Sequence, residues 1–281
     1  MHGPGCRRPA SANPAGICTT PDLPGGFPGR AAVEIEEAIL LKATIVRRQD
    51  FTDDLFVLWL DPEVEFAFRP GQYITIGAGG FERPYSIVSA PYEPFIELFI
   101  EYVPPEHGGK LTPILHASKV GDIVTMRPKA KGLFTLRAEA KSHVMMGTVT
   151  GVAPYVSMIR QFLHDRAMGT DGPSGYRFFV IEGASHRDEF VYDKELRRLS
   201  NEYPDLIQFV CSVSRPQAQR NADWTGPIGR VNLLIEDYLE RWKLPVDSTV
   251  IYLCGNPGMI EDVKARLIPK GWSIAEERFW R

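Results

Sequence analysis

Residues Arg83-Pro84-Tyr85-Ser86 bring a guanidinium, an aromatic ring and a hydroxyl together within four consecutive positions. The ring of Tyr85 can stack on a flat heterocycle, while Arg83 and Ser86 can bind phosphate oxygens. The simpler alternative is an edge-strand tyrosine beside a solvated arginine. The motif indicates a site for a compound that carries both a ring and a phosphate.

A second segment, Gly109-Lys110-Leu111-Thr112, opens a predicted helix. The first N–H groups of a helix have no intrahelical acceptor, so they suit a pyrophosphate. The alternative is a capped helix on the surface. We predict a phosphate site here that continues the first one.

The elements around both motifs are short strands. Between positions 38 and 138 the chain has stretches rich in Val, Ile, Phe, Tyr and Thr, separated by Gly and Pro. Many short strands at this spacing predict an antiparallel β-barrel. The predicted strands are 40–46, 55–60, 72–76, 85–89, 95–103, 122–126 and 133–136.

After position 141 apolar strands alternate with helical patterns, which predicts a doubly wound parallel sheet. The predicted strands are 143–149, 177–183, 207–213 and 249–254, and the predicted helices 153–166, 194–203, 231–242 and 259–267. Ligands bind such sheets at the carboxyl ends of the strands. Those ends carry Thr150, Ser185-His186-Arg187, Ser214-Arg215 and Gly255.

The 281 residues are enough for two domains, and we predict a barrel domain over 37–140 and an α/β domain over 141–281. Prolines and glycines crowd the first thirty positions, so we expect a disordered tail over 1–36. The net charge of −3 gives no argument for a nucleic-acid partner. No apolar run approaches the ~20 residues of a membrane helix. The four cysteines form no CxxC pair, so we expect no metal site and a reducing, cytoplasmic location.

These motifs, in this order, resemble the bacterial-type ferredoxin/flavodoxin–NADP reductases of the ferredoxin reductase-like FAD/NAD(P) superfamily. The resemblance runs from about position 41 to position 280, and seven motifs in the right order are a far stronger signal than any one of them. The later motifs are Gly132-Leu133-Phe134, 148–154, Ser214-Arg215, 254–259 and Phe279-Trp280.

The resemblance implies an N-terminal FAD-binding barrel and a C-terminal NADP-binding domain, and it assigns residues to both cofactors. The implied FAD residues are Arg83, Pro84, Tyr85, Ser86, Phe99, Ile100, Glu101, Tyr102, Lys110, Leu111, Thr112, Thr150, Phe279 and Trp280. The implied NADP(H) residues are Arg187, Ser214, Arg215, Arg230, Leu253, Cys254 and Gly255. Thr150 and Cys254 are the implied catalytic positions, where the two cofactors approach each other.

Three positions depart from the family pattern, and one of them is Arg281, which extends beyond the usual aromatic end. Val149 stands where a glycine is usual, so a positive φ is costly there and a side chain enters the approach path. Ser185 stands where relatives carry an arginine for the nucleotide phosphate, and Arg187 is the candidate substitute.

The resemblance implies an FAD-dependent reductase that takes a hydride from NADPH and passes single electrons to ferredoxin or flavodoxin, or the reverse. Because such partners are usually acidic, Arg127, Lys129, Lys131, Arg137 and Lys141 are a candidate docking face, with a solvated strand rim as the alternative. A flavin reductase or an oxygenase reductase component stays open as a function, as does an FAD-binding electron-transfer subunit that does not accept NADPH. We expect a monomer.

Overall fold

The structure of the protein is a computed structural model that describes residues 40–170 and 175–278. The described residues belong to one compact unit, Ala38–Arg281. The predicted tail over 1–36 and the predicted FAD-stacking pair Phe279-Trp280 lie outside the described residues.

The first half of the described chain is a six-stranded antiparallel sheet that curls into a nearly closed barrel. Its strands are β1 (Leu41–Asp50), β2 (Leu55–Pro62), β3 (Tyr73–Ala78), β4 (Phe81–Ser86), β5 (Ile96–Glu101) and β6 (Ile123–Met126). The order across the sheet is β4-β3-β6-β1-β2-β5. A bridge between Ile87 and Leu98 links the end of β4 back to β5. The Val88 N–H also donates to the Glu97 carbonyl at 2.9 Å, so the two edges of the sheet meet at one end.

A short helix, α1 (Thr112–Ala117), packs on the barrel through Leu111 and Leu115, which join the barrel core. Arg48 of β1 binds the carbonyls at the end of this helix. Its Nη1 donates to the carbonyl oxygens of Leu115, His116 and Ser118 at 3.1, 2.7 and 2.8 Å. A helix of six residues is marginal alone, so this contact and the buried leucines fix it in place.

The second half of the described chain is a five-stranded parallel sheet in the order β11-β10-β7-β8-β9. The strands are β7 (Ser142–Thr148), β8 (Arg177–Ala184), β9 (Ile207–Val213), β10 (Thr249–Cys254) and β11 (Ser273–Glu277). The chain proceeds outward from β7 to β9 and then returns to the other side of β7 with β10. The strand order therefore reverses between β7 and β10, which is the ligand-binding switch point of such sheets.

Helices cover both faces of the parallel sheet. They are α2 (Ala153–Ala167), α3 (Asp193–Glu202), α4 (Val231–Arg241) and α5 (Pro257–Leu267). The face that carries α2 and α3 also meets the barrel, because barrel residues such as Val57 and Phe99 share one buried cluster with Met145, Val156 and Leu196. The other face packs on α4 and α5.

The predicted fold class is confirmed, and three elements differ from the prediction. The strand predicted over 85–89 is β4, Phe81–Ser86, so the motif 83–86 lies at the end of the strand and not at its start, because pairing with β3 from Ala78–Phe81 to Tyr73–Ser86 sets its bounds. Residues 133–136 form no strand: Phe134 is buried against the rings of Tyr155 and Tyr252, and its neighbour Leu133 is exposed. The closing strand β11 was not predicted, because its sequence SIAEE has no apolar alternation.

Candidate functional site

A cavity of about 330 Å³ lies at the switch point of the parallel sheet, where the barrel meets it. The loops after β7 and β10 form one wall through Thr150, Gly151, Cys254 and Gly255. The opposite wall is made by the barrel and the segment before α1. The barrel-side lining residues are Arg83, Pro84, Tyr85, Ser86, Phe99, Glu101, Val103, His107, Gly108, Gly109, Lys110, Leu111 and Thr112.

The motif 83–86 forms most of β4 and lies against this cavity. Tyr85 is half-buried against the barrel core, and its hydroxyl has no hydrogen-bond partner within the described residues. Burial raises the pKa of this phenol, so it stays a neutral donor. Arg83 donates from Nη1 to the Glu82 carbonyl at 2.8 Å and is otherwise exposed. Tyr85 therefore offers a neutral ring, and Arg83 offers a guanidinium without an ion pair among the described residues, on the same wall of the cavity.

The segment before α1 offers backbone donors to the same cavity. No acceptor within the described ranges pairs with the backbone N–H groups of Lys110, Leu111 and Thr112. The Thr112 hydroxyl, in contrast, is used internally: it donates to the Val103 carbonyl at 3.1 Å and accepts from the Val103 N–H at 3.0 Å. Successive free N–H groups form a concavity for an anion, so the backbone, with Lys110, fits a phosphate better than the Thr112 side chain does.

Strand β5 sends only alternate residues into the cavity, as the strand period requires. Phe99 and Glu101 line it. Ile100 is fully buried in the barrel core, and Tyr102 packs on that core beside the ring of His116. The implied FAD contacts of Ile100 and Tyr102 are therefore not side-chain contacts with this cavity.

The loop after β7 departs from ordinary backbone geometry. Val149 has φ +48°, although it is β-branched and such residues rarely enter this region. Val149 therefore adopts the positive φ that is costly for a valine, and the surrounding structure must offset this strain. The loop is closely packed at the nearby Gly151, where a Cβ would lie 2.2 Å from the Cys254 carbonyl oxygen. The half-buried Val149 side chain packs on the apolar clusters at the carboxyl ends of β8 and β9.

Glu277, at the end of β11, lies behind the cavity-lining Ser86, and the sequence did not suggest it. Its Oε2 lies 3.5 Å from the Ser86 hydroxyl, inside the protein. Burial raises the pKa of this carboxyl to about 8, opposed by the Ser86 hydrogen bond. Burial, and then the charge of Glu277, also raises the pKa of the Cys254 thiol. Cys254 is thus a neutral, apolar group and not a nucleophile.

The implied nucleotide residues gather at the far carboxyl edge of the sheet. Val213 pairs with Ile228 in a parallel bridge, which brings Arg215 and Arg230 to the same end of β9. Both side chains are exposed, and neither makes an ion pair or hydrogen bond within the residues that the structure describes. Ser214, next to Arg215 in the chain, donates its backbone N–H to the Ala184 carbonyl at 2.9 Å.

Two other residues that the resemblance assigns to NADP(H) do not combine exposure with the lack of a partner. Arg187 is ion-paired with Asp223 at 3.3 Å. Leu253 is fully buried in the core beneath α4 and α5, on the face of the sheet away from the cavity. The side chain of Leu253 therefore has no access to a nucleotide in this cavity.

Over 40–170 and 175–278, no three His, Cys, Asp or Glu side chains are placed to hold a metal ion. Nor does any helix in those ranges have the length and apolar character needed to cross a bilayer.

Comparison with known proteins adds three findings to this geometry. Residues 145–265 match the oxidoreductase NAD-binding domain family. The chain is 28% identical over 230 residues to the flavodoxin/ferredoxin–NADP reductase of Escherichia coli, covering 78% of this chain and 86% of that one. It is also 28% identical over 246 residues to the reductase component of the Pseudomonas putida naphthalene 1,2-dioxygenase system, covering 83% and 68%.

Among solved structures, the ferredoxin NADP+ reductase of Neisseria gonorrhoeae, with bound FAD and NADP, superposes with a TM-score of 0.74. The two share 22% identity, and the match covers 87% of this chain and all of that one. The fold and the matched domain define an oxidoreductase built from a barrel and a nucleotide-type sheet. The resemblance to the ferredoxin/flavodoxin–NADP reductases, predicted from the motifs, is confirmed.

Proposed function

We propose that the protein is an FAD-dependent reductase that moves a hydride between NADP(H) and its flavin and exchanges single electrons with ferredoxin or flavodoxin. The observation that carries this proposal is the cavity at the switch point. There Tyr85 and Ser86 of the barrel face Thr150 and Cys254 of the parallel sheet. A flavin supplies the required chemistry because it accepts a hydride and can release electrons one at a time.

The residues present fit such a cofactor. Tyr85 and Phe99 offer rings, Arg83 and Lys110 offer positive charge, and the N–H groups of 110–112 offer free donors for a pyrophosphate. The tight contact between Gly151 and the Cys254 carbonyl keeps this part of the wall free of side chains. The Ser86 hydroxyl and the Glu277 carboxyl can hold a proton beside the same cavity, since the pKa of Glu277 is about 8. The protein's task is then to orient the reactants and exclude water.

Of the five cations in the predicted docking face, Lys129 and Lys131 best support electron-carrier binding. Both are exposed and have no ion pair within the described residues, whereas Arg127 pairs with Glu82 at 2.6 Å. Next to them, the Leu133 side chain is 91% exposed. We call Lys129, Lys131 and Leu133 the carrier loop. Positive charge around an apolar contact suits an acidic protein that must dock and leave quickly.

The decisive experiment has two parts. Heat release and chromatography of the bound cofactor should give FAD, and recovery of mainly FMN would contradict the FAD assignment. Anaerobic NADPH should then bleach the yellow protein, and reduced enzyme should reduce ferredoxin or flavodoxin. A protein that stays yellow under NADPH is an FAD-binding electron-transfer subunit without hydride transfer.

The similarity to the dioxygenase reductase component favours one second candidate, a reductase for an oxygenase or for free flavin. Turnover with free FMN, without any activity toward ferredoxin and flavodoxin, would select the flavin reductase. Activity restored only by an oxygenase and its own ferredoxin would select the oxygenase reductase.

A further inference from the structure

A partly buried ionic cluster joins the barrel to the parallel sheet, away from the cavity. Arg160 of α2 lies at its centre and contacts carboxylates from three different parts of the chain. Its Nη1 is 2.6 Å from Glu97 of β5 and 3.3 Å from Glu93 in the loop before β5. Its Nε and Nη2 bind both oxygens of Glu195 in α3, at 2.8 and 2.7 Å. One guanidinium thereby connects the barrel with two helices of the sheet domain.

Two further hydrogen bonds complete this connection. The hydroxyl of Tyr192, just before α3, donates to Glu97 Oε1 at 2.8 Å, so both oxygens of Glu97 have a partner. One turn before Arg160 on α2, Ser157 donates to the Ser89 carbonyl of the barrel at 2.7 Å. The exposed fractions of the Arg160 and Glu97 side chains are only 16% and 6%. Their geometry is therefore shielded from water and from salt.

The cluster reaches the cavity through β5. Glu97, Phe99 and Glu101 share the outer face of this strand, because side chains alternate along it. Phe99 lines the cavity, and its ring packs edge-on against the ring of Tyr192 with centroids 5.7 Å apart. Tyr192 thus touches Phe99 with its ring and Glu97 with its hydroxyl. A shift of Arg160 would move Glu97, Tyr192 and the Phe99 ring together.

We propose that Arg160 and Tyr192 are positioning residues for electron transfer, which fix the barrel against the parallel sheet and hold the Phe99 ring at the wall of the cavity. This inference rests on the proposed function. Because the loops after β7 and β10 form the opposite wall, any rotation between the barrel and the sheet changes the distance between the two reacting partners. A guanidinium suits this role since its planar fork binds several carboxylates at once, which a lysine ammonium cannot do with the same geometry.

The test uses two mild variants and one matched control. Tyr192→Phe keeps the ring against Phe99 and removes only the hydroxyl, and Arg160→Lys keeps the charge and removes the fork. Arg266 bridges Asp262 and Glu236 at 2.7 and 2.9 Å within the sheet domain alone, so Arg266→Lys makes the same change away from the barrel. Stopped-flow measurement of flavin reduction by NADPH, with flavin content and thermal stability, is made on all three.

We expect Arg160→Lys and Tyr192→Phe to slow flavin reduction about ten-fold at full flavin occupancy, as a small misplacement does in a positioned reaction. Arg266→Lys should leave the rate unchanged, although it lowers stability comparably. Amide hydrogen exchange over 96–101 should become faster in Arg160→Lys and Tyr192→Phe only. Lower stability with an unchanged reduction rate in those two would overturn the inference, since the cluster would then be merely structural.

The exchange measurement also separates this inference from the proposed function. A protein that holds no flavin contradicts the proposed function, whereas the coupling of Tyr192 to β5 is still decided by exchange. In that case, unchanged exchange over 96–101 in Tyr192→Phe overturns the coupling, and faster exchange supports it.

Discussion

The Ser86 hydroxyl lies 3.5 Å from Glu277 Oε2, although the two residues are 191 positions apart in the chain. The contact joins the motif at the end of β4 to the last strand of the parallel sheet. It is buried at the junction of barrel and sheet, which is why the pKa of Glu277 reaches about 8. A carboxyl that is mostly protonated at neutral pH thus lies beside Ser86 of the candidate cofactor site.

Glu277 should make the protein less stable as the pH rises. The native state keeps the proton on this carboxyl up to about pH 8, whereas the unfolded chain releases it near 4.5. Stability from this source is therefore present below pH 4.5 and is lost as the pH rises through 8, at up to about 1.4 kcal/mol per pH unit inside that window. Urea unfolding of the protein and of Glu277→Gln between pH 5 and 8 measures the difference, and the slope should be smaller in the variant.

The neighbouring carboxyl supplies a control for this slope. Glu276 pairs with Lys264 at 2.8 Å and with Arg278 at 3.0 Å, and these cations lower its pKa. Glu276→Gln should therefore leave the pH dependence of the unfolding free energy between pH 6 and 8 unchanged. Equal slopes in all three proteins would show that Glu277 is already ionised in the native state.

Regular elements with a clear apolar pattern could be predicted from the sequence. The predicted strands 207–213 and 249–254 match β9 and β10 at both ends, because these runs are almost wholly apolar and are bounded by turns. Strand β11 could not be found in this way. Its five residues are mostly polar, and its place is set by pairing with β10, from Val250–Ser273 to Cys254–Glu277. Glu277 was missed for the same reason.

The candidate site was predictable at the level of motifs, while side-chain directions were not. The sequence identified 83–86 and 109–112, and both segments line the cavity. It could not tell that Ile100 and Leu253 face apolar cores, because each lies next to a cavity residue on the same strand. The sequence raised the question of a positive φ at Val149 but could not answer it, since local propensity opposes this φ and only the structure shows that the residue adopts it.

Val149 should limit the nicotinamide nucleotide without affecting the flavin. Val149→Gly removes both the strained φ of +48° and the side chain, whereas Val149→Ala keeps the strain and removes only two methyl groups. If the side chain narrows the approach, both variants should lower KM for NADPH by several-fold and keep their FAD. If the strain holds the loop in place, only Val149→Gly changes KM.

The second positive φ among the non-glycine residues of the described chain gives the control. Lys243 has φ +50° in the turn after α4, remote from the cavity. Lys243→Gly relieves comparable strain, and we expect it to raise stability slightly without any effect on KM. Equal effects of Lys243→Gly and Val149→Gly on KM would show that the loop has no specific role.

His143 should make the protein sensitive to acid. Burial lowers the pKa of its imidazole from 6.5 to about 4, and its Nε2 has no hydrogen-bond partner within the described residues. Below pH 6.5 the His143 imidazole is protonated in the unfolded chain but stays neutral in the native state. Stability is therefore fully present above pH 6.5 and is lost as the pH falls toward 4, by about 3 kcal/mol in total.

Replacement by phenylalanine should remove this acid sensitivity. The His143 ring lies among the rings of Tyr176, Phe178 and Tyr252, so a phenyl ring suits its surroundings. We expect the unfolding free energy of His143→Phe to change less than that of the unmodified protein between pH 7 and 4. His164 stacks on the exposed Tyr92, and His164→Phe should keep the original dependence. If the unfolding free energies of all three proteins fall in parallel as the pH falls, the acid response comes from groups other than His143.

The carrier loop should govern the protein acceptor and leave a small acceptor unaffected. Lys129→Glu combined with Lys131→Glu replaces two unpaired cations, so we expect KM for ferredoxin or flavodoxin to rise about ten-fold at low ionic strength. The effect should shrink with added salt, because exposed charges are screened. Reduction of menadione, which is neutral, should be unchanged. Arg127→Gln, at a cation already paired with Glu82, serves as the comparison and should have a small effect.

The last prediction is that Arg215 and Arg230 select NADPH over NADH. The bridge between Val213 and Ile228 brings both exposed arginines to one end of β9, and neither has a partner within the described residues. Guanidiniums bind a phosphate through charge-assisted and partly bidentate hydrogen bonds. The loss of one such bond costs roughly 1.5–3 kcal/mol, so Arg215→Ala and Arg230→Ala should each lower kcat/KM for NADPH about 10- to 100-fold.

The kcat/KM for NADH should stay within about two-fold in both variants, because NADH lacks the 2′-phosphate. Arg187→Ala is the matched control, since Arg187 lies at the neighbouring strand end but already pairs with Asp223 at 3.3 Å. We expect this variant to keep its preference for NADPH. That result would show that Arg187 does not take the place of the arginine that relatives carry at the position of Ser185. An equal loss with both nucleotides in Arg215→Ala and Arg230→Ala would show that these residues do not recognise the 2′-phosphate.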